Sequence, residues 1–267
     1  MSESHVVYEH PPVELVSAEI RFQYMPRLGT EETFSTLSER FADFSNVQRE
    51  QRAEFAVVLP QGTSRLDNET AVRLMDESRT KSITLSAQRM TVETTDYLGW
   101  ESFGELIGRA ADELWRLAPV RIERLGLRYL DEIRSPDVTA DVRSWTDWVR
   151  PGLLGAMSVL PDEAVPEQFQ SVTVAQLPRD AAVIVRVGVF NGLGLVADGA
   201  PMARRRQEPE GPFFGIDTDC YWQPKGRLGK LGASEAIAVF EELHGHQGTI
   251  FRSSIGDKLR NVLKEKQ

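Results

Sequence analysis

The chain has a single cysteine, Cys220, so it can close no intrachain disulfide and offers no multi-cysteine zinc site. No apolar run approaches the ~20 residues that a bilayer crossing requires. The opening residues, MSESHVVYEHPP, lack the basic-then-apolar order of a secretion signal, and the expected location is cytoplasmic. Positive charge is also scarce. Against 40 acidic side chains stand 31 basic ones, and the net charge of −9 argues against broad, non-specific nucleic-acid binding. Phosphate loops are missing as well: Asn191–Gly194 reads as a turn, and Gly226–Gly232, ahead of Ser234, as a strand-to-helix connection with no Gly-Lys-Ser/Thr ending. No nucleophile with a base and an orienting partner can be assembled by spacing. The sequence therefore assigns no catalytic residue, no metal ligand and no cofactor.

What the chain does have is pattern. At 267 residues it can bury a sizeable core, in one large domain or two small ones. Val120–Arg134 is its pivot, with Val120 and Ile122 apolar in one phase and Leu125, Leu127 and Tyr129 in the other. A phase slip next to Gly126 predicts a β-bulge, or a strand covered on both faces. The same pattern occurs earlier. Laying PVELVSAEIRFQ (12–23) over PVRIERLGLRYL (119–130) matches Pro12 with Pro119, Val13 with Val120 and Arg21 with Arg128, and both segments carry the slip. Two diverged halves, 1–118 and 119–267, are expected, each opening on a bulged strand.

Between these strands, Thr30 with Glu31 and Glu32 reads as a helix start, and Phe34, Leu37, Phe41 and Phe44 as its apolar stripe. Strands are expected at Glu54–Leu59, Ala71–Glu77, Ser82–Gln88 and Met90–Thr95. Ser102 to Glu105 fits a capping box for a helix that Pro119 stops. In the second half a helical stretch at Ser144–Val149 restarts at Pro151. Strands follow at Gln168–Leu177, Ala181–Asn191 and Gly215–Gln223, with Leu193–Pro212 as a long irregular loop. The chain closes in helix, kinked or split near Gly245 and Gly248. Each half is strand, helix, antiparallel strands, helix: an α+β fold with sheets covered by helices on one face.

Four phrases resemble the TIGR04255 family of sporadically distributed bacterial proteins: YEHPPVELVSAEIRFQ, YLGWESF at 97–103, RLGLRYLDEI at the pivot, and LHGHQGTIFRSSIGDKL near the end. The resemblance spans the chain. It implies no catalytic set, and its patchy distribution resembles that of accessory genes, including defence and toxin–antitoxin neighbourhoods.

Several residues invite a functional reading. Arg21 and Arg128 are paired by the repeat and could hold a carboxylate or phosphate in a groove between the halves; the simpler reading is a salt bridge to Glu19, Glu123 or Asp131. Asp217 and Asp219 share one face of a strand, about 7 Å apart, as a cation or acid–base pair or merely a solvated face. Arg204, Arg205 and Arg206 form a basic patch in the long loop. His244 and His246 point apart on a helix, so His244 is expected to be packed rather than metal-bound. Cys220 reads as a small buried side chain. The expectation is a non-enzymatic cytoplasmic binding protein that engages a macromolecular partner, another protein or a second copy, through the groove or the loop. Nucleic acid is disfavoured as a partner, and no membrane is expected. The alternative is a small-ligand protein or enzyme with an anion site at Arg21 and Arg128 and the carboxylate pair Asp217 and Asp219.

Overall fold

The computed structural model describes residues 8, 11–53, 68–161, 163–164, 169–196, 200–205, 210–226 and 228–264. Its described strands are β1 (Val13–Phe22), β2 (Asn46–Ala53), β3 (Asn68–Met75), β4 (Lys81–Ser86), β5 (Arg89–Thr94), β6 (Ile122–Ile133), β7 (Phe169–Gln176), β8 (Ala181–Gly192) and β9 (Gly211–Trp222). They form one continuous antiparallel sheet in the order β2-β3-β4-β5-β1-β6-β9-β8-β7. The opening strand and the pivot strand lie side by side at its centre, so the two stretches of chain share one sheet rather than building two. Ranged on the sheet are α1 (Glu31–Arg40), α2 (Trp100–Leu117), α3 (Ala233–Ser254) and α4 (Asp257–Leu263).

The sequence dictates which face the helices cover. In β1, Val16, Ala18, Ile20 and Phe22 alternate inward and are almost wholly buried, while Ser17, Glu19 and Arg21 point the other way. Pairing of β1 with β6 slips at two places, between Val13 and Leu15 on β1 and opposite Arg21 and Phe22, where β6 runs from Arg124 to Ile122. The second slip is the bulge expected in the pivot strand; the first falls nearer the start of β1 than the pattern placed it. Each bulge lets apolar residues on both sides of it face the same core. Phe34 and Leu37 of α1, Ile107 and Leu114 of α2, and Phe240 and Leu243 of α3 complete a cluster with Ile20, Phe22, Leu125 and Leu127.

Several boundaries differ from expectation. The first helix stops at Arg40, with Phe41 as its C-cap, so Phe44 lies past its end although both side chains are buried. The second begins at Trp100 behind Gly99, whose φ of 135° favours glycine, rather than at a Ser102 cap. After β6, only the 3-10 segments Val142–Trp145 and Pro151–Val159 stand where a helix was expected. The last long helix runs unbroken through Gly245 and Gly248 and ends at Ser254. There the Gly256 backbone N–H donates to the Trp148 carbonyl at 2.8 Å, and a Cβ on Gly256 would meet the Asp147 backbone. The long loop ends at Gly211, where β9 begins. The expected strand 54–59 lies outside the described residues.

Beyond Tyr129 the core changes character. A second apolar cluster gathers Ile133, Trp145, Val149, Phe214, Ile216 and Ile255 under the C-terminal segments. A polar seam separates it from the first. Tyr129 Oη lies 3.1 Å from both Tyr97 Oη and His244 Nδ1, and the His244 ring stacks on Trp100 at 4.3 Å. Gln247 Nε2 donates to the carbonyls of Leu127 and Thr218 at 2.6 and 2.8 Å. Asp131, on the same face as Tyr129, is 5% exposed, and burial, with Glu14 and Asp217 nearby, pushes its carboxyl up to about 8.

Candidate functional site: the open face of the sheet

The face turned away from the helices is built from charge. Reading across β5, β1, β6, β9 and β8, it carries Arg89, Glu19, Arg21, Arg124, Arg128, Asp217, Asp219 and Arg186. Charges this close to a protein interior persist only when paired. At the centre, Glu19 faces Gly126, which faces Tyr221. A side chain on Gly126 would collide with Nη1 of Arg124. The glycine thus lets Arg124 lie flat across the sheet. From there it donates to Glu19 at 2.9 Å and to both oxygens of Asp219 at 2.8 and 2.7 Å, and its guanidinium sits 4.6 Å from the Tyr221 ring centroid. Burial pushes the Glu19 carboxyl up, but the combined fields of Arg21, Arg124 and Arg89 hold it below the usual range.

Next to this cluster Arg128 grips Asp217 with Nε and Nη2, both at 2.7 Å, and Arg186 reaches the same carboxylate at 3.1 Å. The bond to Asp217 outweighs the desolvation of Arg128 and stabilises its charged form. Nη1 of Arg128, and Nε and Nη2 of Arg186, make no hydrogen bond among the described residues. The vertical order matters. The Asp217 carboxylate is 13% exposed, whereas the Arg128 and Arg186 side chains are 47% and 42% exposed. Here the carboxylate forms the floor and the two arginines the surface, whereas Arg124 and Arg89 lie as deep as Glu19.

The sequence-singled residues distribute as follows. Arg21, Arg128, Asp217 and Asp219 share this face, but they do not converge on one point. Arg21 is opposite Arg124, and Arg128 is four residues further along β6, about 13 Å away at strand spacing. Arg21 lies 3.5 Å from Glu19, as the salt-bridge reading had it. Arg128 pairs across strands with Asp217, not with Glu123 or Asp131. Asp217 is held by the two-nitrogen fork of Arg128 and both oxygens of Asp219 accept from Nη2 of Arg124, which leaves neither as a free base. Cys220, next after Asp219, is buried on the other face, and burial, reinforced by Asp219, pushes its thiol up to about 12, an inert state.

The long loop straps one end of this face. Glu132 accepts from the Leu195 N–H and from Arg204, whose side chain is only 14% exposed. Met202 is buried beside Ser82, Thr95 Oγ1 donates to the Ala203 carbonyl at 2.6 Å, and Arg205 pairs with Asp96 at 2.9 Å. Arg204 therefore anchors the loop rather than reaching outward; Arg206 lies outside the described residues. Arg124, Arg186 and Glu19 were not singled out by sequence as binding residues. A signal existed for the first: it sits within the slip that turns Leu125 inward.

Among the described residues no group of three or more His, Cys, Asp or Glu side chains could hold a metal ion, and no helix is long and apolar enough to cross a membrane. No family model matches the chain, and no curated protein matches it.

Proposed function

We propose that this is a non-enzymatic cytoplasmic binding protein that takes an acidic segment of a macromolecular partner, a protein, on the arginine surface of its open sheet face. The observation that carries this reading is the pair Arg128 and Arg186. A shared carboxylate restrains both guanidiniums, yet each keeps N–H groups that make no hydrogen bond among the described residues, on side chains 47% and 42% exposed. An arginine already held in place loses little entropy when it meets a carboxylate, so the surface is preorganised for anions. The strap over one end gives the face a boundary and a second contact for a partner. An accessory role, in defence or toxin–antitoxin settings, is what the TIGR04255 resemblance adds.

The two halves, 1–118 and 119–267, fit descent from one repeated unit. Their leading strands pair antiparallel at the centre of the sheet, with the aligned residues Glu19 and Gly126 directly opposite. The other strands lie outward from that centre on either side.

The second reading, a small anionic ligand or an enzyme using Arg21, Arg128, Asp217 and Asp219, is favoured by their common face. It is weakened by the arginines that already occupy both aspartates. Affinity capture from the native host, comparing the wild type with Arg128→Glu/Arg186→Glu, separates the two. The binding reading expects one stoichiometric protein with an acidic segment, lost with the variant. An identical set of captured proteins from both baits contradicts it. Thermal stabilisation of the wild type by a phosphate or carboxylate metabolite, with no protein captured, selects the second.

A further inference from the structure

The sheet ends differ in a way the proposed function does not use. Among the described strands one edge, β2, reads NVQREQRA and carries Arg49, Glu50 and Arg52, the charges that natural edge strands use to deter pairing. The other, β7, reads FQSVTVAQ, with no charged residue and no proline. Its only strand partner among the described residues is β8. By the alternation of an antiparallel ladder, half of its residues point N–H and C=O outward. Val172 and Val174 are 63% and 62% exposed on the open face, where Val172 lies opposite Arg186 and Val174 opposite Ile184.

We propose that β7 is a dimerisation edge, pairing antiparallel with β7 of a second copy of this chain about a twofold axis at Thr173. The strand is self-complementary in that register. Val172 meets Val174 of the second copy, Ser171 meets Ala175, and Gln170 meets Gln176. Residues directly opposite share a face, so the valines of both copies form one apolar row that neither copy can cover alone. The chain's net charge of −9 opposes self-association in general, but this strand brings no charge to the contact. The competing arrangement, β7 on β2 of another copy, sets neutral valines against arginine and glutamate and builds an open filament instead of a closed pair. An isologous β7 contact is closed, and it continues the sheet with both arginine surfaces facing the same side.

Sedimentation equilibrium of the full chain across the micromolar range tests this. A concentration-dependent dimer is expected, and Val172→Lys/Val174→Lys, which sets lysine against lysine across the axis, weakens it by about 100-fold. Both positions are exposed, so the variant keeps its fold, and an unchanged melting profile verifies that. Thr173→Cys reports the register independently. It is expected to oxidise to a covalent dimer in high yield, while Gln170→Cys does not; the native Cys220 is buried and stays silent. A wild type that stays monomeric throughout, a dimer indifferent to the lysines, or a Thr173→Cys chain that fails to cross-link overturns the proposal.

Discussion

The two faces of the central sheet solve the same problem in opposite ways. Under the helices water is excluded by apolar volume: Phe22, Phe34, Phe240 and Leu125 are fully buried and need no partner beyond contact. On the open face charged side chains take over around the centre, and the carboxylates of Glu19, Asp219 and Asp217 are each matched to an arginine. The difference teaches where function can lie. The apolar face is spent on stability, because every gap there costs packing. The charged face is cheaper to alter, since its pairs are partly solvated and its outer arginines, Arg128 and Arg186, keep donors with no partner among the described residues.

The contrast is broken most forcefully on the apolar side. Phe34→Ala is expected to cost about 3–5 kcal/mol by emptying a fully buried site, read as a drop in urea midpoint. A loss below about 1 kcal/mol would mean that α1 is not part of the cooperative core. Next comes the seam where one face borrows the other's chemistry. Asp131 is a carboxyl on the apolar side with its pKa pushed up to about 8. Below the unfolded-state value of ~4 both states hold the proton. Between that pH and about 8 the folded chain keeps its proton while the unfolded chain has lost it, so stability falls as pH rises through this window. Asp131→Asn is thus expected to gain on the wild type from pH 4 to pH 9, by a few kcal/mol on the order-of-magnitude scale of linkage. Parallel melting-temperature curves for the two proteins would show that Asp131 is ionised in the fold.

A smaller effect is expected on the charged face. Gly126→Ala displaces the Arg124 guanidinium from Glu19 and Asp219 and is expected to cost about 1–2 kcal/mol. In an Arg124→Ala background the same change should be nearly neutral, which a double-mutant cycle in denaturant measures. Additive losses would mean that Gly126 is required by the backbone and not by its neighbour's side chain.

Much of the layout was legible in the sequence because it depends on parity. Alternation in β9 put Asp217 and Asp219 on one face, and the long helices α2 and α3 stand where helix was expected. Arg124 was missed for a physical reason. Counted by strict alternation from Ile122 it faces the core; only the bulge before Leu125 turns it outward, and a bulge is settled by pairing with a strand a hundred residues away. The strand β2 was missed because it has almost no apolar alternation and is held by its ladder to β3. Asp131 looked like a salt-bridge partner by composition, yet its parity with Leu127 and Tyr129 commits it to the core side. The partnership of Arg128 and Arg186 through Asp217 spans three strands whose order no local pattern reveals.

The smallest stability effect tests the account's central claim most directly. Arg128→Ala/Arg186→Ala, made together with Asp217→Asn so that no buried carboxylate is left without a partner, removes two half-exposed side chains and is expected to shift stability by about 1 kcal/mol or less. The measurement is titration of a fluorescently labelled Asp/Glu-rich peptide with the wild type and with this variant at low salt. The account predicts saturable binding to the wild type that weakens with salt, and at least a tenfold loss in the variant. Equal binding by both proteins, or none by the wild type, would contradict it.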